Sequence, residues 1–121
     1  MGMIKEEVEI TGIRKSKMIV ALFDSGAERN YIRKILEDGN RVDEDIGFHI
    51  FLGIHRPILA NTDIADGEKV IFKKIYIKER SIEEVEFIIM EKLFVEAIIG
   101  AKLMQKLGIS LDLSNKRIIM N

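Results

Sequence analysis

Ile19-Val20-Ala21-Leu22-Phe23-Asp24-Ser25-Gly26-Ala27 is the stretch on which the fold turns. Five apolar residues in a row, β-branched at the start, predict a strand buried on both faces. The run stops abruptly at an acid, a hydroxyl and a glycine. A carboxylate at the mouth of a buried strand is costly to ionise unless hydrogen bonds or an opposite charge compensate it. Gly26 has the backbone freedom that a tight turn, or a close approach by another chain, requires. The Ser25 hydroxyl can both donate and accept. Asp-Ser-Gly is also ordinary turn chemistry. An Asp-[Ser/Thr]-Gly triplet arises by chance in roughly one chain of this length in twenty, so its meaning depends on the residues around it.

Working outward, Val8-Glu9-Ile10 alternates and leads through Thr11-Gly12 and the polar Arg14 to Lys17 into the strand that ends at Asp24. Two strands joined by a short turn are predicted. Beyond Ala27, the residues Tyr31, Ile32, Ile35 and Leu36 recur at helical spacing before Gly39, which suits a short helix or a strand followed by a turn. Arg41 to Asp45 reads as a charged loop. Phe48 to Leu52 and Ile54 to Ala60 read as strands, broken by Gly53 and by Pro57, which cannot occupy a central ladder position. Asp66-Gly67 is the strongest hairpin-turn signal, with strand-like residues from Ile58 to Ile64 before it and Val70 to Ile77 after. Glu79-Arg80-Ser81 turns the chain into Val85 to Met90.

The C-terminal third holds a second corner of the same kind. Phe94-Val95-Glu96-Ala97-Ile98-Ile99 runs as a strand into Gly100. Ala101 to Leu107 is helix-prone, and Gly108 stops it. Ile109 to Leu113, a turn at Ser114-Asn115, and Arg117 to Met120 close the chain with strands. Many short strands with one or two short helices predict a closed or sandwiched sheet.

The 121 residues suit one domain, spanning 1–121. At 47% hydrophobic and 32% charged, the chain can bury a core and does not have the composition of a disordered segment. A net charge of −1 with scattered basic residues argues against a nucleic-acid surface, which requires a concentrated positive face. No apolar run approaches the ~20 residues of a membrane span, and Lys5-Glu6-Glu7 lies where a secretory leader carries its apolar core. With no cysteine there are no disulfides, thiolates or Cys-type zinc sites. These features predict a cytoplasmic protein with no membrane or nucleic-acid partner. The wealth of isoleucine, lysine and glutamate, with Gln105 as the single glutamine, suits a thermophilic source.

Two strand-into-glycine corners about 75 residues apart, Asp24-Ser25-Gly26-Ala27 and Ile98-Ile99-Gly100 before a short helix, resemble the retroviral-type aspartic proteases (retropepsins) and their retrotransposon and cellular relatives. Leu22-Phe23-Asp24-Ser25-Gly26-Ala27 is similar to the family's hydrophobic-hydrophobic-Asp-[Ser/Thr]-Gly-Ala motif. Asn30-Tyr31-Ile32 resembles the segment just after that motif in the retrotransposon branch. Leu103, Gly108 and Asp112 resemble the signature helix and closing strand. The resemblance runs from Val8 onward and is loosest over residues 41 to 80. It implies a mainly β, single-domain, closed-barrel fold with a short C-terminal helix, active as a homodimer.

Two carboxyl groups sharing one proton can hydrolyse a peptide bond, one taking a proton from water and the other giving one to the carbonyl oxygen. Like charges held together cannot both ionise, so the pair titrates as a unit with one value raised and one lowered; the aspartic proteases are the standard example of this coupling. The chain carries one Asp-[Ser/Thr]-Gly, so the second carboxylate must come from a second copy of the chain. Two-fold symmetry places both Asp24 residues at the axis.

The expected activity is therefore that of a homodimeric aspartic endopeptidase acting on extended peptide or protein, with no cofactor and no metal. Asp24 is the shared acid and base. The resemblance implies that Ser25 reaches across the axis to the partner's backbone, and Gly26 lets the carboxylates approach. Ala27 and a hairpin flap closing over substrate would bind it. Asp66-Gly67 is the preferred flap tip and Gly53 to Pro57 its rival. Peptide would add as a strand, and Arg117 to Met120 would suit an intersubunit sheet.

Other chemistries have less support. His49 and His55 lack a clear third metal ligand. Ser25 as a hydrolase nucleophile lacks the Gly-x-Ser-x-Gly elbow. Lys73-Lys74, Lys102 and Lys106 suit solvated faces, and Met18, Met90 and Met104 suit core positions. The alternative to the protease is a catalytically silent dimerisation or peptide-binding module on the same fold.

Overall fold

Strands β1 (Met3–Thr11) and β2 (Ser16–Asp24) pair antiparallel over their full length, Met3 facing Asp24 and Thr11 facing Ser16, in a computed structural model that describes residues 3–56 and 66–121. The alternation expected of a half-buried strand is plain. Ile4, Val8 and Ile10 of β1 and Ile19, Ala21 and Phe23 of β2 turn into the core, each at most 3% exposed. The apolar run of β2 is thus not sealed on both faces throughout. Val20 is 45% exposed, and burial on the second face begins at Leu22.

After the Asp24 turn come β3 (Tyr31–Arg33), a single helical turn α1 (Val42–Asp45), and β4 (Ile50–His55). The long strands β5 (Gly67–Ile77) and β6 (Arg80–Met90) come next, then β7 (Ala97–Ile99), α2 (Ala101–Leu107), β8 (Ile109–Asp112) and β9 (Arg117–Met120). The strand order β1-β2-β7-β3-β6-β5 returns to β1 through pairs such as Ile10 with Ile75, closing a six-strand barrel to which β4 is added at the β5 edge. Closure removes the unpaired edges of those six strands. Phe72 and Phe87 meet edge to face inside, centroids 5.6 Å apart, in the same core as Phe23. Burying each such ring stabilises the fold by roughly 1.5–3 kcal/mol.

The structure decides one open local reading and differs from two others. Of the two readings open for Tyr31–Leu36, a short helix or a strand followed by a turn, the structure takes the second, beginning as β3. Parallel pairing with β6 (Ile32 opposite Ile89) and antiparallel pairing with β7 (Ile32 opposite Ala97) bury Ile32 completely, and tertiary pairing overrides the local period. The charged stretch 41–45 is α1, pinned because Val42 and Ile46 are both fully buried. Asp66-Gly67 is not a two-residue hairpin turn, since Gly67 opens β5 and sits opposite His55 of β4. The connection between those strands runs through residues 57–65, so Pro57 and the strand expected at Ile58 to Ile64 lie outside the described residues.

The C-terminal helix falls where expected, Ala101–Leu107, ending on Gly108 in the left-handed region at φ 65°. The strand expected from Phe94 is built only at Ala97–Ile99, leaving Phe94 75% exposed. At the chain end β9 pairs with β8 of the same chain, Ile109 facing Met120 and Asp112 facing Arg117.

Candidate active site

Residues 20, 22 and 24 lie on one face of β2, because side chains alternate along a strand. The core takes 19, 21 and 23, so Asp24 points away from the barrel interior and ends up half-buried, with Ser25 and Gly26 exposed. The turn after Asp24 is closed by its own atoms. Ala27 N–H donates to the Asp24 carbonyl at 3.1 Å, and Gly26 N–H donates to Asp24 Oδ1 at 2.8 Å. A backbone donor so placed fixes the orientation of the carboxylate.

The loop is braced from the second glycine corner. Ala101 N–H donates to the Ala27 carbonyl at 2.7 Å, and Gly100 N–H donates to Asn30 Oδ1 at 2.9 Å. The Asn30 amide then donates to the Glu86 carbonyl (3.1 Å), while the Asn30 carbonyl accepts from Ile88 N–H (2.9 Å). One asparagine therefore ties the Asp24 loop to both β6 and the start of α2. Gly100 is required there. A Cβ would stand 2.4 Å from the Arg29 carbonyl oxygen and 2.8 Å from that of Ala27, distances no side chain tolerates. Sequence reasoning placed Asn30 in a motif but gave it no role; a lone amide just before a buried strand was the available signal.

Around this loop, Leu22 and Val20 join Lys5, Phe94, Val95 and Glu96 in lining a cavity of about 250 Å³ on the Asp24 face of β2. Glu96 closes its back, accepting from Val20 N–H (3.2 Å) and Glu37 N–H (3.0 Å). Nothing in the sequence marked Glu96 out, because its partners are backbone groups 76 and 59 residues away.

Of the residues expected to meet substrate, Ala27 lies in the braced loop. Asp66 and Gly67 stand at the foot of the β4–β5 hairpin. Asp66 is 3.4 Å from Arg56, and Gly67 is buried where a Cβ would strike Ile88 and Met90. Gly53, the rival tip, is a β4 residue at φ 111°, where the register shifts between Phe51 and Gly53. Four apolar side chains of β4, namely Ile50, Phe51, Leu52 and Ile54, are each 40% or more exposed. His49 Nε2 lies 2.7 Å from Glu84, and among the described residues no three histidine or carboxylate groups converge as a metal site. No described helix is long and apolar enough to cross a membrane.

No protein-family model matches the chain, and no curated protein matches it in sequence. Solved structures do. The retroviral protease-like domain of Ddi1 from Leishmania major superposes with a TM-score of 0.63 at 16% identity, covering 100% of this chain and 90% of that one. A retropepsin-like aspartic protease from Rickettsia conorii gives 0.60 at 14% identity, covering 91% of this chain and 76% of the other. With its closed six-strand barrel, paired glycine corners and short C-terminal helix, the chain has the retropepsin-like fold.

Proposed function

We propose that the chain is one half of a homodimeric aspartic endopeptidase, with Asp24 and the partner's Asp24 sharing a proton at the two-fold axis. The observation that carries this is the single Asp24 carboxylate, held by Gly26 N–H at an exposed turn outside the barrel core. A lone carboxylate there cannot act as both acid and base, and symmetry supplies the second from the same position of another copy. In the cycle, the ionised member of the pair takes a proton from water as it attacks the scissile carbonyl. The protonated member donates to the carbonyl oxygen, and the leaving amine then collects a proton from the pair.

The surrounding structure supports the same reading. The apolar cavity of Val20, Leu22, Phe94 and Val95 lies on the Asp24 side of β2 and suits an apolar substrate side chain next to the scissile bond. The exposed apolar side chains of β4 suit a flap that meets substrate and excludes water.

Cleavage of a diverse peptide library between about pH 3 and 7 tests the proposal, with Asp24→Asn as the matched control. The expected result is sequence-selective cleavage by the wild type and none by the variant, with the dimer mass unchanged. A wild-type dimer that binds extended peptides and cleaves none would leave the silent peptide-binding module instead.

A further inference from the structure

Beyond Asp24 the same loop forms one wall of a second cavity, of about 490 Å³. Glu28, Arg29 and Asn30 face the outer surface of the β5–β6 ribbon there, and α2 closes the far side. The floor is apolar, with Ile71, Ile82, Ile88 and Leu103. The rim is charged and unevenly balanced. Four cations, Arg29, Lys69, Lys102 and Lys106, stand against three carboxylates, Glu28, Glu84 and Glu86.

Each of those carboxylates already has a partner. Glu86 pairs with Arg29 at 3.0 Å, Glu28 with Lys102 at 3.1 Å, and Glu84 with His49 at 2.7 Å. Among the described residues, Lys69 and Lys106 have no carboxylate within ion-pair distance. The formed pairs are largely solvated and weak, so an incoming carboxylate can compete for their cations. His55 of β4 lies within the field of these charges. Burial, then the charges of Arg29 and Lys69, hold its imidazole below the ordinary range, although Glu86 acts in the opposite direction.

We propose that this cavity is an exosite for an acidic stretch of the peptide substrate, outside the residues flanking the scissile bond. An Asp or Glu side chain of the substrate would pair with Lys69 and Lys106 while its backbone crosses the Ile71 and Ile82 floor. The inference rests on the peptidase reading, because it takes the chain entering beside Asp24 as the occupant. Its physical content is charge complementarity added to an apolar contact.

The test uses peptide pairs that are identical except for Glu-Glu or Gln-Gln placed at successive positions in each flank. kcat/KM is measured on the wild type and on the Lys69→Glu/Lys106→Glu double variant. At low salt the acidic peptide should be favoured about threefold to tenfold at one flank position, mainly through KM. The advantage should disappear near ~0.5 M salt. In the double variant the preference should invert toward a Lys-Lys peptide, a gain that misfolding cannot produce. Fluorescence anisotropy of the same peptides on Asp24→Asn reads the cavity without hydrolysis. An acidic preference in binding with no cleavage by the wild type would overturn the peptidase and keep the exosite. Equal handling of acidic and neutral peptides in both assays, or a preference untouched by the double variant, would overturn the exosite itself.

Discussion

Asn30 Oδ1 accepts the Gly100 N–H at 2.9 Å, joining the loop that carries Asp24 to the first residues of α2 across 70 positions of sequence. The same side chain donates to the Glu86 carbonyl, so a single amide satisfies two backbone groups on separate elements.

Replacing Asn30 by Ala should therefore leave both groups short of a partner, at a stability cost of about 1–3 kcal/mol. Activity should fall further than stability alone explains, since the loop holding Asp24 loses its brace. Urea denaturation checks the first part and kcat/KM of the folded variant the second. A loss below about 0.5 kcal/mol with normal turnover would show that Ala101 N–H to the Ala27 carbonyl is brace enough.

The two packed glycines should rank in a definite order. A methyl at Gly100 meets backbone oxygens of Arg29 and Ala27, which cannot move without displacing the Asp24 loop. A methyl at Gly67 meets the Ile88 side chain at 2.4 Å and the Met90 sulfur at 2.7 Å, and side chains can rotate. Gly100→Ala should cost roughly 3 kcal/mol and abolish cleavage, whereas Gly67→Ala should cost roughly 1–2 kcal/mol. Equal melting points for the two variants would count against this account of the second corner.

Acid should loosen the barrel end opposite the proposed site in a specific window. Lys17 bonds to both Asp38 and Asp45, and Lys15 lies 2.6 Å from Asp45. The Lys17 bond, aided by Asn40 N–H, lowers Asp38 from its ordinary 3.8 to about 2, and Lys15 followed by Lys17 lowers Asp45. Carboxyls depressed on folding stabilise the native state above their unfolded value, and that contribution is lost as pH falls through the folded one. The wild-type melting point should thus drop between about pH 4 and pH 2. Lys17→Met should melt lower than the wild type at pH 5, with the gap narrowing toward pH 2. A gap constant across that range would exclude the ion cluster as its cause.

The Asp24 and Gly100 corners and α2 were legible in sequence because their chemistry is local. An acid-hydroxyl-glycine ends a strand, a glycine precedes a helix, and Gly108 ends it in a left-handed turn. Asp66-Gly67 misled for the same reason. Local turn propensity is real there, but the register of β4 against β5 is set by side chains far away, and Gly67 is small because Ile88 and Met90 lie against it. Tyr31 to Leu36 left helix and strand both open, and the strand forms because three residues of β3 gain more from two neighbouring strands than from a short helix. The roles of Asn30 and Glu96 were invisible, since each acts on backbone groups that only the folded barrel brings near.

The most direct test of the central claim is to co-refold wild-type and Asp24→Asn subunits in equal amounts and measure peptidase activity at fixed total protein. If the catalytic pair is built from two chains, random pairing leaves about one quarter of the dimers with both carboxylates, and activity should fall to about one quarter of the wild-type value. Activity at about one half would mean that each chain works alone, and the shared-carboxylate account would be contradicted.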